Sequence, residues 1–387
     1  MTTMEGKMNC PAFGSPAARH ARLYGIGTAL PPHRAGQPEV QKFMAAMARA
    51  TLTGRRRAAT LGLISKLYAS SGIAGRHSVL GDYTRGDPAD FEFFPANWSL
   101  EPFPSTAVRM GLYEKWSVEL GERACRKALR EAGARPAEVT HLIFTTCTGL
   151  YAPGPDIHLI GRLGLSPLVQ RTVLGFMGCY AGFNGIRMAG QILAGEPEAV
   201  VLQVCVELCT LHLQKIPLPD FIVAGSIFGD GAAAAVFARP GRYKKGLGDL
   251  VATHSRVETG SLAEMSWRIG PTGFEMRLSR EVPARLKAAA PRFVSELLSK
   301  AGLERRESSW AIHPGGRKIV DEVQSALGLS DSRVRSSREV LNSFGNMSSA
   351  TILFVLDREL RRKSGRAVTA LGFGPGLTME GAVLSRP

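Results

Sequence analysis

No stretch of the chain approaches the roughly 18 consecutive apolar residues that a membrane-spanning helix needs. Met1 to Pro16 lacks the apolar core of a secretory signal, so none is expected. Cysteine is scarce, six in 387 residues with no paired spacing. A disulfide framework is therefore not expected, and a reducing, cytoplasmic compartment is. There is no low-complexity tract and no repeat of the roughly 20–50-residue kind. Beyond the short Arg55-Arg56-Arg57 run there is no basic tail, and no aromatic-interleaved recognition motif, so nucleic acid is not an expected partner. Negative charge is also in short supply: 33 Asp and Glu stand against 48 Lys and Arg, a net charge of +15. That balance favours anionic partners, either a phosphorylated small molecule or, as peripheral contact, a membrane surface. With 44% hydrophobic and 21% charged residues, the chain can bury a large core as two domains or one duplicated domain.

What the sequence does contain is organised around Gly175 to Gly190. An apolar strand, Val169 to Leu174, runs into it. From Cys179 to Leu193 the residues read as a helix that is apolar nearly all round, hence buried. Gly178, Gly182 and Gly185 share one face, where another backbone can come close. Cys179 thus stands where a strand turns into a helix start, and unpaired N–H groups with the positive dipole end favour a thiolate there. Alone, it reads equally well as a buried structural cysteine.

Before that stretch, residues 1–20 read as loose. Leu23 to Thr28 reads as a strand, and Glu39 to Leu52 and Ala59 to Ser70 as helices. Gly72 to Arg76 reads as a turn, and Gly81 to Pro104 as a polar surface excursion. Ala107 to Ala132 has the pattern of a long amphipathic helix closed by Gly133. Next come strand His141 to Cys147, helix Asp156 to Leu163, the central stretch, strand Ala199 to Glu207 and a turn into strand over Ile227 to Ala238. The order then repeats with helix Val282 to Ala301, strand Trp310 to His313, helix Ile319 to Leu327, helix Asn346 to Leu360 and strand Val368 to Phe373. Alternating strands and helices imply layered α/β structure. We divide the chain into two duplicated halves, 1–240 carrying Cys179 and 241–387 carrying His313 and Asn346. The duplication is expected to bring the two central helix starts together at a pseudo-two-fold axis.

The chemistry-bearing candidates are Cys179, His313 in His313-Pro314-Gly315-Gly316, and Asn346 in Gly345-Asn346-Met347-Ser348-Ser349. A cysteine nucleophile needs a base, which histidine supplies. An asparagine amide and an imidazole can both donate to a developing oxyanion. Singly, His313 also reads as a capped turn and Asn346 as a helix N-cap.

Together with Gly372-Phe373-Gly374-Pro375-Gly376, these motifs resemble the type III polyketide synthases, the chalcone synthase-like family of the thiolase superfamily. The resemblance spans about Leu23 to Leu384. It implies a five-layered αβαβα thiolase fold, a homodimer and a Cys179–His313–Asn346 triad. The implied reaction loads an acyl group from CoA onto Cys179. Decarboxylation of malonyl-CoA then gives an enolate, held by His313 and Asn346, which attacks that thioester; no metal or redox cofactor is implied. Phe228 corresponds to the family's gatekeeper between CoA tunnel and cavity. Gly374 and Pro375 shape the cyclisation cavity, to which Ser348 and Cys147 also belong. Cys209 and His212 line the cavity, and Trp267 lies near its floor. Thr148, Ala152 and Cys209 are similar to residues that open a long acyl tunnel in mycobacterial alkylpyrone synthase. Met276 falls where plant members place a second gatekeeper Phe. Lys66, Arg76, Gly315 and Lys318 are the implied CoA contacts. The implied product is an alkylresorcinol or alkylpyrone from a medium- or long-chain fatty acyl-CoA, as in bacterial members.

Other readings compete. Cys147 is also seen in bacterial naphthalene-forming relatives primed by malonyl-CoA. A ketoacyl synthase extending a carrier-bound chain once would share the fold, though the Gly372 to Gly376 motif argues against it. A catalytically dead basic scaffold is opposed by the intact triad. Cys205, Cys209 and His212 lack the fourth ligand of a structural zinc site, so no metal is expected.

Overall fold

The computed structural model describes residues 20–362 and 364–387. The reading of residues 1–20 as loose lies, except for His20, outside them. The first half runs β1 (Arg22–Ala29), β2 (His33–Gly36), α1 (Gln37–Thr51), α2 (Gly54–Ser70), β3 (Gly75–Ser78), α3 (Thr106–Ala132), β4 (His141–Thr146), α4 (Pro155–Leu163), β5 (Gln170–Gly175), α5 (Ala181–Gly195), β6 (Val200–Leu208), α6 (Pro219–Ile227) and β7 (Asp230–Ala238). The second runs β8 (Gly248–Val257), β9 (Met265–Gly270), β10 (Gly273–Leu278), α7 (Val282–Ala301), β11 (Ser308–Ile312), α8 (Arg317–Leu327), α9 (Arg335–Phe344), α10 (Thr351–Arg361), β12 (Ala367–Gly374) and β13 (Thr378–Ser385).

Nine strands form one sheet in the order β11-β12-β13-β8-β1-β7-β6-β4-β5. The two halves meet where β1 pairs with β8 through Arg22 and Leu23. Read outward from that seam, the first half places its strands as first, fifth, fourth, second, third in chain order. The second half places β8, β13, β12 and β11 as first, last, next-to-last and second. The directions agree too: β6 and β4 are parallel, as are β12 and β11, while β7 and β13 run against their neighbours. The duplication is therefore visible in topology, the second half lacking a counterpart of edge strand β5.

Helices α5 and α10 each touch strands of both halves and form the middle layer. Helix α3 packs on β1, β6 and β7 outside one half, and α7 on β8 and β13 outside the other. This is the five-layered αβαβα arrangement. Strands β6 and β7 are buried at every position because helices cover both faces, which is why they read as continuous apolar runs.

Several local expectations are corrected. Gly75–Ser78 is a strand paired with β2, not a turn. Gly81 to Pro104 is not a surface excursion: Asp82, Tyr83, Phe94 and Leu100 are buried. Phe91, Phe94 and Trp98 pack on Phe43, and the Asp82 carboxylate accepts the N–H groups of Glu92, Phe93 and Phe94. Helix α5 begins at Ala181, two residues after Cys179, and α10 at Thr351, five after Asn346.

Candidate active site

Between β5 and α5 the chain turns through two left-handed residues, Phe176 and Gly178. This turn carries Cys179 and is clamped from two sides. The Cys147 thiol accepts the Gly178 N–H at 3.0 Å, and Pro375 packs where a Gly178 side chain would stand. Gly374 lies as close to Tyr180, leaving no room for a Cβ. Gly182 faces the Ser349 carbonyl, the close backbone approach that the glycine face predicts.

Asn346 comes from the other half. Its N–H donates to the Ile227 carbonyl at 2.8 Å, and its carbonyl accepts the Gly229 N–H at 3.0 Å. Its side-chain oxygen accepts the Ser348 N–H at 2.8 Å. That leaves the amide nitrogen facing the other way, 3.8 Å from Cys179 Sγ and 3.2 Å from the Gly315 carbonyl. Ser348 holds a left-handed conformation, rare for a residue with a side chain, at this point. His313 ends β11, its N–H bonded to the Leu371 carbonyl. Its ring is buried, and neither ring nitrogen has a hydrogen-bond partner. The structure thus joins Cys179 to Asn346 directly, and His313 to them through the Gly315 turn.

Burial pushes the Cys179 thiol up to about 11, although the Ser348 hydroxyl and Asn346 amide favour the thiolate. Burial alone pushes His313 down to about 3. The resting pair is a neutral thiol and a neutral imidazole. The expected helix-start activation is outweighed, because Cys179 precedes the helix and is enclosed. A neutral imidazole with two free nitrogens can still take the thiol proton on one and donate from the other.

Below the cysteine lies Glu207, fully buried on β6. It accepts from Cys147 N–H and the Thr148 hydroxyl, each at 2.9 Å, and from the Ser349 hydroxyl. Burial holds this carboxyl up at about 7. The sequence reading did not single it out. The available signal was a lone carboxylate inside an otherwise apolar strand, which is rare unless partnered.

A small cavity of about 40 Å³ opens beside Phe228, between α1, α6 and β10. Phe228, Cys209, His212, Trp267 and Met276 line it. Arg76 also lines it; its 3% exposure places it inside, not among the CoA phosphate contacts of an outer mouth. Cys147 and Thr148 are buried against Glu207 rather than on the cavity wall. Gly374 and Pro375 clamp the Cys179 turn, and Ser348 packs at Asn346. Ala152 is exposed and does not line its own chain's cavity. His212 is no free ligand, since its ring nitrogens engage the Thr148 carbonyl and the Phe274 N–H. Lys66 and Lys318 are exposed.

Comparison with known proteins matches this arrangement. The model for chalcone and stilbene synthases, N-terminal domain, covers residues 14–240, and that for the C-terminal domain covers residues 250–386. "Probable polyketide synthase 1" of Dictyostelium discoideum is 30% identical over 83% of this chain, which spans only 10% of that relative's length. The C-terminal type III polyketide synthase domain of Steely1, a type I/III hybrid from Dictyostelium, superposes with a TM-score of 0.86 at 27% identity. The match covers 95% of this chain and 99% of that one. PKS-I from the brown alga Ectocarpus siliculosus gives 0.86 at 30% identity, over 95% and 98% of the two chains. The chain belongs to the chalcone and stilbene synthase family and is an enzyme of the type III polyketide synthase class, an acyltransferase.

Proposed function

We propose that this enzyme loads a medium- or long-chain fatty acyl group from CoA onto Cys179. It then extends the chain with several malonyl-CoA units and closes an alkylresorcinol or alkylpyrone ring. In loading, the thiol proton passes to His313, the sulfur attacks the thioester carbonyl and CoA leaves. In extension, malonyl-CoA loses CO₂, and the enolate oxygen is held by His313 and the Asn346 amide nitrogen. The enolate carbon attacks the Cys179 thioester carbonyl and the C–S bond to Cys179 breaks, leaving the lengthened chain on CoA. That chain then reloads onto Cys179, releasing CoA, for the next cycle. Each step uses side chains and substrates only, so the chemistry asks for no metal or redox cofactor.

The observation that carries the starter class is the cavity. Beyond Phe228 its wall is mostly apolar, with Val40, Met44, Leu213, Phe221 and Met276, the surface an alkyl chain would bury against. Each CH₂ buried there contributes about 0.8 kcal/mol, so affinity should climb with chain length until the cavity is full. In a series from acetyl- to stearoyl-CoA with labelled malonyl-CoA, read by mass spectrometry, kcat/KM should peak at roughly ten carbons or more. Ala224→Phe, which puts a ring into the wall, should lose the long starters first. Preference for malonyl-CoA as starter would favour the naphthalene-forming reading instead. Activity only with malonyl-carrier protein would favour a single-extension ketoacyl synthase.

The donors are tested separately. His313→Ala and Asn346→Ala should each slow malonyl-CoA decarboxylation by about 10²–10³-fold, the usual loss of one oxyanion donor. Wild-type decarboxylation in both would remove them from that role.

Three further assignments accompany this reading. CoA phosphates fall to the rim where Arg317 packs beside Gly72, with Lys66 and Lys318 exposed on the α2 and α8 sides. A homodimer fits edge strand β5, whose exposed Val173 lies in a region that also exposes Leu150 and Ile157. Ala152 lies in the Leu150 loop, so there it meets the second subunit. A cytoplasmic location accords with the five free cysteines among the described residues. Among those residues no helix is long and apolar enough to cross a membrane.

A further inference from the structure

The cavity beside Phe228 has polar groups in its wall, but nearly all are already engaged. The hydroxyls of Ser78 and Thr210 bond to each other, and Thr210 also donates to Asp230. Tyr83 donates to the Thr210 carbonyl. Both ring nitrogens of His212 are engaged, and the Gln214 amide bonds to the Thr272 carbonyl and hydroxyl. Arg76 is the exception. Its Nη1 donates to the Phe228 carbonyl at 2.9 Å and its guanidinium lies 5.9 Å from the centre of the Tyr68 ring, while its buried Nη2 makes no hydrogen bond. The buried carboxylate nearest in influence, Asp230, gives its oxygens to Val79 N–H and to Thr210. A guanidinium is thus held inside an apolar cavity with a free donor, an arrangement that costs stability until an oxygen fills it.

A fatty tail has no oxygen to offer at that depth. The growing chain has, because each extension adds a carbonyl and leaves a 1,3-dicarbonyl, whose enolate is an anion. Phe228, which Arg76 grips, is also paired through its backbone with Asn346, beside Cys179. An oxygen bound at Nη2 would therefore be linked through Phe228 to the segment that carries Asn346. We propose that Arg76 is a specificity-determining residue that binds a β-keto or enolate oxygen of the extended chain, favouring chains elongated more than once. The inference rests on the extension chemistry proposed above.

Two measurements test it. The first incubates wild type, Arg76→Met and Arg76→Lys with decanoyl-CoA and malonyl-CoA. It reads products carrying two or more malonyl units relative to the rate of Cys179 acylation. That ratio should fall about tenfold in Arg76→Met and recover in part in Arg76→Lys. The second measures binding of two neutral probes. Methyl 3-oxododecanoate should bind wild type about tenfold more tightly than methyl dodecanoate, and the preference should vanish in Arg76→Met. Equal binding of the two esters to wild type would overturn the proposal and leave Nη2 to water. So would an unchanged product ratio, or an Arg76→Lys enzyme no better than Arg76→Met, which would mark a structural tie to Phe228. If Arg76→Met does not fold, the ester comparison on wild type decides. Failure of decanoyl-CoA to load Cys179 strikes the starter class instead, and the ester comparison still reads Arg76.

Discussion

Cys179→Ala should carry no acyl group after mixing with an acyl-CoA, where wild type gains the mass of one. Condensation should fall by roughly 10⁶-fold, as when a nucleophile is removed from a catalytic set. The other described cysteines are poor substitutes. The Cys147 thiol is held by the Gly178 backbone, and burial pushes it well above the ordinary range. Burial raises Cys125, Cys205 and Cys209 likewise. Cys205 also has an amide, that of Gln203, and the Thr145 and Ser349 hydroxyls favouring its thiolate, but it is fully enclosed. Cys179, by contrast, has the Asn346 amide and Ser348 hydroxyl and lies next to a histidine-bearing turn. The free thiol near 11 also gives a pH dependence. Alkylation of the free enzyme should accelerate as pH rises above neutrality, because the thiolate is the nucleophile. Loading by acyl-CoA should rise less steeply if His313 removes the proton within the complex. An adduct that persists in Cys179→Ala would move the nucleophile elsewhere.

The sequence made some parts of this molecule legible and hid others for physical reasons. Helices α3 and α7 were readable because burial imposes one period over many residues, and β6 and α5 because burial on all sides makes them long, nearly continuous apolar runs. Helix α9 was not: in Arg335–Phe344 only two aliphatic side chains, Val340 and Leu341, are buried, and serines fill its other inward positions. Helix α6 is apolar on all sides and so short that periodicity cannot separate it from a strand. The β9–β10 hairpin is half exposed and shows no clean alternation. At the site, Cys179, His313 and Asn346 stood out through their turns and their resemblance to a family. Inside and outside were harder. Arg76 reads as a surface cation by type, yet its strand turns it inward under Phe228. Ala152 reads as a cavity residue by type, yet its loop faces solvent. Glu207 was hidden by its neighbours: its partners come from the end of β4 and the turn before α10, a meeting that only the folded sheet creates.

Glu207→Ala should lower stability by about 3 kcal/mol or more. The Cys147 N–H would lose its acceptor in a site closed to water, and each buried donor so stranded costs about 1–3 kcal/mol. The Thr148 and Ser349 hydroxyls would lose theirs too, though a hydroxyl can rotate. Glu207→Gln keeps an acceptor and removes the titration, so the two variants separate bonding from charge. In the folded enzyme the Glu207 carboxyl titrates near 7, against an ordinary value of 4.5. Between those values the folded state holds a proton that the unfolded chain has released, so stability falls as pH rises through that window. A separation of this size corresponds to about 3 kcal/mol. Asp230, raised by burial from 3.8 to about 6, acts in the same direction at lower pH and remains in the variant. Urea melts of wild type and Glu207→Gln should therefore diverge most between pH 4.5 and 7, with the flatter curve belonging to Gln. The charge on Glu207 also raises the Cys179 thiol, so Glu207→Gln should make Cys179 alkylate faster above pH 7. Parallel stability curves would show that Glu207 titrates in the folded enzyme as it does in the unfolded chain, and an unchanged alkylation rate would show that its charge does not act on Cys179.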